Sequence, residues 1–184
     1  MKLPLSWIKD YVDIKIAPEE LALKLTFAGL EVEQTEYIGV PRPQSSHATG
    51  ERPEISWDRD KIWVGQILKI EQHPNADRLT LATVDYGASE PIVVVTGAPN
   101  IKVGESGQKV ALALEGSRLF DGHQDGWKPM TLNKSKIRGI ESGSMVCSEK
   151  ELGMSEEHDG IILLPDDAPV GVPLVDYLGD IVFD

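Results

Sequence analysis

Ile62-Trp63-Val64-Gly65-Gln66-Ile67-Leu68-Lys69-Ile70-Glu71, then Gln72-His73-Pro74-Asn75-Ala76-Asp77-Arg78, then Leu79-Thr80-Leu81-Ala82-Thr83-Val84-Asp85-Tyr86 is the stretch that decides the fold. Its first and third parts alternate apolar and polar residues, as half-buried strands do. The middle part has proline, asparagine and aspartate, the residues that turn a chain. Outward from this pair, residues 92–96 form a buried-looking run closed by Gly97-Ala98-Pro99-Asn100. Residues 109–114, 130–138 and 145–147 complete a set of short strands with glycine, proline and asparagine turns between them. Such a set within residues 62–147 suggests a small five-stranded barrel of the oligonucleotide-binding type, the OB fold.

The two ends read differently. Ser6 can cap a short helix over 7–12, with Trp7, Ile8 and Tyr11 toward a core. Pro18 suits the first turn of a second helix, Glu19 and Glu20 its positive end, and Gly29 its stop. Leu21, Leu25 and Ala28 would share one face of it, and residues 30–38 resemble a half-exposed strand. Residues 39–61 carry Pro41, Pro43, Ser45, Ser46, Gly50 and Pro53 with little periodicity, the composition of a linker. Ser148-Glu149-Lys150-Glu151 is a capping-box pattern. Asp159-Gly160 is a turn, 161–164 a buried strand and 173–178 a last helix. Neither end has the apolar mass for its own core. The expected class is therefore α+β with an inserted all-β OB-fold barrel. Residues 1–38 plus 155–184 would form a discontinuous scaffold, 39–61 a linker and 62–154 the barrel.

Composition narrows the function classes. With 41% hydrophobic and 26% charged residues, the chain has the make-up of a globular protein. No apolar run approaches the roughly 18 residues of a membrane-spanning helix. Ser6, Lys9 and Asp10 interrupt the N-terminus too early for an export signal, and Cys147 is the single cysteine, so a reducing cytosol is the expected setting. The net charge of −12 argues at first against a nucleic-acid partner. Its distribution does not: residues 155–184 hold 8 acids and no Lys or Arg, whereas 63–154 hold 10 basic and 11 acidic groups. A local basic face is open to the middle segment.

Several motifs in order carry a family resemblance. His73-Pro74-Asn75-Ala76-Asp77-Arg78-Leu79, Val84-Asp85-Tyr86-Gly87, Thr96-Gly97-Ala98-Pro99-Asn100, Lys136-Ile137-Arg138-Gly139 and Met145-Val146-Cys147-Ser148-Glu149-Lys150-Glu151-Leu152-Gly153 resemble the tRNA-binding barrel module. That module occurs in appendices of methionyl-tRNA synthetases, in free-standing tRNA-binding proteins and in a cytokine. The flanks Met1-Lys2-Leu3-Pro4-Leu5-Ser6-Trp7-Ile8-Lys9-Asp10-Tyr11-Val12-Asp13, Ala28-Gly29-Leu30-Glu31-Val32-Glu33 and His158-Asp159-Gly160-Ile161 resemble the N-terminus of bacterial phenylalanyl-tRNA synthetase β subunits. The sequence departs from that pattern in a longer stretch before the barrel, a longer stretch over 116–127, and Ser144 where the family usually has glycine. The resemblance implies a non-catalytic tRNA-binding and scaffold role. It also implies an enzyme that charges tRNA with phenylalanine using ATP and Mg²⁺ held outside this chain. The partners implied are tRNA, the remainder of the β subunit and the α subunit, in a heterotetramer.

The residues offer four cations for RNA: Arg78 in the loop between the first two strands, and Lys134, Lys136 and Arg138, which share a parity and would line one strand face. The alternatives are a plain turn for 73–79 and a charged edge that blocks aggregation for 134–138. Tyr86, Phe120 and Trp127 are the barrel's candidates for base stacking, against a packing role. His47, His73, His123 and His158 lack metal-ligand spacing, and no catalytic constellation is visible. A free-standing tRNA-binding or chaperone-like protein and a purely structural interaction module remain alternative readings.

Overall fold

The computed structural model describes residues 1–43, 53 and 55–184. In chain order the elements are β1 (Leu3–Pro4), α1 (Leu5–Tyr11), α2 (Pro18–Phe27), β2 (Thr35–Ile38), β3 (Ile62–Gln72), β4 (Thr80–Asp85), β5 (Ile92–Thr96) and β6 (Lys109–Leu114). They continue with β7 (Arg118–Phe120), β8 (Pro129–Thr131), β9 (Ser135–Ile137), β10 (Ile140–Ser142), β11 (Ser144–Val146), β12 (Leu163–Leu164), α3 (Leu174–Leu178) and β13 (Asp180–Phe183).

The main sheet runs β11-β6-β3-β4-β5, all antiparallel, with β12 also paired to β6. β11 lies against β5 without a ladder between them, so the sheet curls into a nearly closed five-stranded barrel. Its eleven-residue strand β3 serves two partners: residues 62–66 pair with β6 and 66–72 with β4. A bulge between Ile67 and Lys69 lets it bend between them. Side-chain parity changes accordingly. Ile62 and Val64 enter one buried cluster, whereas Ile67 and, past the bulge, Ile70 enter another. β6 is buried on both faces, with Ala111 and Ala113 in the first cluster and Val110 and Leu112 in the second. That double burial is why 110–114 reads as an uninterrupted apolar run.

The chain ends meet. β13 is the middle strand of the sheet β1-β13-β2, with Leu3 opposite Phe183 and Tyr37 opposite Ile181. The rest of the C-terminal segment packs on the barrel: Leu164, Ala168 and Leu174 lie in its first cluster, and Val64 exchanges backbone hydrogen bonds with Val172 and Gly171. Gly171 sits so close to Gly87 that a Cβ on Gly87 would lie 2.9 Å from the Gly171 Cα.

Several expectations for the ends are corrected. Helix α1 starts at Leu5 behind Pro4, and Ser6 does not cap it. Ser6 donates instead through its hydroxyl and N–H to the Asp180 carboxylate. Leu5 is the inward residue; Trp7 is 63% exposed and Tyr11 88%, because a seven-residue helix beside a three-stranded sheet buries only one turn. Helix α2 has Pro18 in its first turn and Gly29 at φ +95° beyond its end, as expected, but buries no residue, and Ala28 is exposed. The strand expected over 30–38 is confined to β2. Residues 33 and 34 donate their N–H groups to the Asp184 carbonyl. The 130–138 strand divides into β8 and β9, and β7 in the 116–127 region pairs with β8.

Of the proposed linker, residues 44–52 and 54, with Arg52 and His47, lie outside the described residues. Its last part is built into the fold. Trp57 is 3% exposed, takes its ring against Gly39, donates its main-chain N–H to the Gly39 carbonyl and its indole N–H to the Leu152 carbonyl at 3.0 Å. A Cβ on Gly39, already at φ +69°, would lie 2.3 Å from that ring. Arg59 pairs with Asp176 of α3 through both carboxylate oxygens. Trp57→Ala should therefore cost about 3–5 kcal/mol, as buried Trp or Phe truncations do. Chemical denaturation of the two proteins checks this, with a lower midpoint expected for the variant.

Candidate nucleic-acid interface

The loop between β3 and β4 is held by its own side chains. The amide of Gln72 donates to the carbonyls of Ala76, Asp77 and Leu79 at 3.0–3.2 Å, and the His73 N–H donates to Leu79. His73 is 2% exposed. Its Nδ1 accepts the Asn75 N–H at 3.1 Å, and its Nε2 faces the Ile137 carbonyl at 3.3 Å. Together these contacts assign the proton to Nε2. The Asn75 side-chain amide donates to the Arg138 carbonyl at 3.0 Å. Where a plain turn would bond nearby backbone, the Asn75 side chain finds its partner 63 residues away, on the β9–β10 hairpin. Gln72 was missed altogether, since a glutamine at a strand end carries no pattern of its own.

That hairpin presents the other cations. In its ladder Ile137 faces Ile140, and Lys136 faces Glu141. Lys134 and Lys136 flank Glu141, and Lys134 pairs with it at 2.9 Å. The Glu141 hydrogen bond, and then its charge, holds the Lys134 ammonium above the usual lysine range. Arg138 leaves the shared strand face. It sits in the two-residue turn with φ +48°, followed by Gly139 at φ +98°. Two positive φ values fit the turn that connects twisted hairpin strands. The common face expected for all three cations is thus corrected: Lys134 precedes the strand, Lys136 lies on it and Arg138 tips its end.

Arg78, Lys136 and Arg138 are exposed, and among the described residues none has a carboxylate within 4.0 Å. The hydrogen bonds from His73 and Asn75 bring the loop bearing Arg78 and the turn bearing Arg138 to one edge of the barrel. The aromatic candidates are committed elsewhere: Phe120 packs edge-on against Trp127 at 5.2 Å, and Tyr86 tilts against Trp63 at 6.4 Å.

Other motif residues build structure. Asn100 donates to the Ile161 carbonyl at 2.8 Å and accepts the Ile161 N–H at 3.1 Å, so two motifs far apart in sequence lock together. The cleft beside them is lined by Glu149, Glu157 and Asp159, a surface that repels phosphate. Glu151 closes the capping box, accepting the Ser148 N–H at 2.6 Å while the Ser148 hydroxyl accepts the Glu151 N–H. Cys147 is fully buried, and burial pushes its thiol well above the ordinary range. No helix of the described residues is long and apolar enough to cross a membrane.

Two outcomes follow from this geometry. Glu141→Gln removes a negative group and releases Lys134, so the variant should elute from a phosphate-bearing matrix at higher salt than the unaltered chain. Cys147 should react with a thiol reagent only as the fold opens. A native-state rate rising in parallel with denaturant-induced unfolding, followed by absorbance, checks this.

Comparison with known proteins gives a consistent result. Residues 62–173 match the family model described as "Putative tRNA binding domain". Over 187 aligned residues the chain is 45% identical to the phenylalanine–tRNA ligase beta subunit of Dehalococcoides mccartyi, covering 100% of this chain and 20% of the relative. It is 40% identical to that of Ralstonia nicotianae over 174 residues, covering 95% and 19%. A crystal structure of a MetRS-related protein from Pyrococcus horikoshii aligns with TM-score 0.42 and 26% identity, covering 61% of this chain and 86% of that one. The chain thus spans about a fifth of the length of the curated relatives it matches.

Proposed function

Because the chain belongs to the tRNA-binding domain family over residues 62–173, we propose that it is the N-terminal, non-catalytic part of a phenylalanine–tRNA ligase beta subunit, contacting tRNA through its barrel. The observation that carries the RNA contact is the joined edge of the loop at 73–79 and the hairpin turn, where Arg78, Lys136 and Arg138 stand exposed without carboxylate partners among the described residues. Phosphates of a folded RNA suit such an edge, since charge and shape dominate where the barrel's aromatic candidates are packed against other rings. Lys134, tied to Glu141, contributes less.

In this reading the whole enzyme attaches phenylalanine to tRNA with ATP and Mg²⁺ at an active site outside the chain, in a cytosolic setting. The α subunit and the remainder of the β subunit are its protein partners. The first thirty residues support a scaffold role, with Trp7, Tyr11, Leu23, Phe27 and Leu30 presenting exposed apolar surface. We also propose a discontinuous division of the chain in which β13 joins residues 1–38, on the strength of its pairing with both β1 and β2. Of the expected 155–184 scaffold segment, β12, Ala168 and Leu174 pack instead on the barrel. The family match runs to residue 173, beyond the expected barrel boundary at 154.

The test is a tRNA titration across a salt series with the unaltered chain and an Arg78→Ala, Lys136→Ala, Arg138→Asn variant. Asparagine tolerates the positive φ at 138, so charge is removed without straining the turn. Three phosphate contacts correspond to a log–log salt slope of about −2 to −3. The variant should bind more weakly and lose a slope of about 2 or more. Equal affinities and slopes would overturn the reading.

A further inference from the structure

We propose that His73 and Asn75 are positioning residues: a clasp that holds the Lys136–Arg138 turn against the loop bearing Arg78, so that cations from two distant segments act as one preformed edge. This rests on the reading of that edge as the tRNA contact. Neither residue needs to touch RNA. His73 is buried and both its ring nitrogens are engaged within the protein. Asn75 is exposed, but its amide is directed at the Arg138 carbonyl.

The need for a clasp follows from the hairpin itself. β9 and β10 are three residues each and form a sheet of only two strands. An isolated two-stranded hairpin is marginal in water. Arg138 adds to the difficulty, because a non-glycine residue at positive φ is costly. Left alone, the turn would sample many orientations, and fixing it on RNA would cost conformational entropy. The two bonds to Ile137 and Arg138 land on consecutive carbonyls of that turn, which fixes both its position and its direction. On the other side, Gln72 gathers three carbonyls of the loop, so the turn is held by a loop that is itself internally bonded.

The roles divide in order. His73 accepts the Asn75 N–H and thereby orients Asn75, and Asn75 then fixes Arg138. The chemistry is that of neutral hydrogen bonds supporting a charge they do not supply. Its signature is therefore coupling: loss of Asn75 should matter most while Arg138, the residue whose carbonyl it holds, carries its charge.

The experiment uses the full chain with Asn75→Ala, Arg138→Asn, both together, and His73→Gln. Amide exchange is measured without RNA, and tRNA affinity in one buffer. One ordinary hydrogen bond corresponds to about a fivefold population change. Asn75→Ala should thus speed exchange in residues 137–141 about fivefold, leave β3, β4 and β6 unchanged, and weaken tRNA binding by a similar factor. In the Arg138→Asn background the same substitution should weaken binding by less than about twofold, since its effect acts through Arg138. His73→Gln should also speed exchange at the turn; should its burial make that variant unfold, the exposed Asn75 position decides. Equal losses in both backgrounds, or unchanged turn exchange, would overturn the clasp. Failure of the unaltered chain to bind tRNA, with turn exchange behaving as described, would overturn the RNA reading and leave the clasp standing.

Discussion

Everything in the barrel depends on β3 being shared between two ladders. A single eleven-residue strand hydrogen-bonds to β6 at its start and to β4 at its end, and the bulge at 67–69 turns it between them. Without that bend, the parity of the strand would put Ile70 on the wrong side, and one of the two clusters would lose its floor. Because β3 and β6 face both clusters, the closed interior and the outer layer beneath the C-terminal segment share the same two strands. The loop that leaves β3 at Gln72 is anchored to this strand, and one side of the cationic edge is built on it.

The outer layer joins the ends of the chain to the barrel. Trp57 is its central piece, because one side chain contacts the Gly39 backbone, the Leu152 carbonyl and the first cluster. The paired glycines at 87 and 171 do similar work with no side chains at all: two backbones approach more closely than any Cβ would permit. Arg59 and Asp176 add a charged link on the surface, where such a pair contributes little to stability.

The barrel was legible in the sequence because alternation and turn residues are local signals, and because an apolar run such as 110–114 has few explanations. The ends were less so. Periodicity identified α1 and α2 as amphipathic, but it carries no information about what stands opposite, and Trp7 and Tyr11 face outward. At the candidate site, the residue types were visible and the arrangement was not. Parity grouped Lys134, Lys136 and Arg138 as if one strand ran through them, whereas a positive φ at Arg138 breaks the alternation. The contacts of His73 and Asn75 reach across 64 and 63 residues, beyond any window in which a pattern is read. Motif spacing placed them in a turn, and only the folded chain gives the turn its partner.

The meeting of residues 1–4 with residues 180–184 has a mechanical meaning. The Met1 ammonium lies 3.1 Å from the Asp184 carboxylate, and β1 and β13 run antiparallel from that point. A pull applied at residues 1 and 184 would therefore part Leu3 from Phe183 first and Pro4 from Val182 next. The bonds would yield singly, like teeth of a zipper, and would not share the load as strands drawn lengthwise past each other do. The barrel would feel no tension until this small sheet had opened. On this geometry the end sheet would yield before the barrel does.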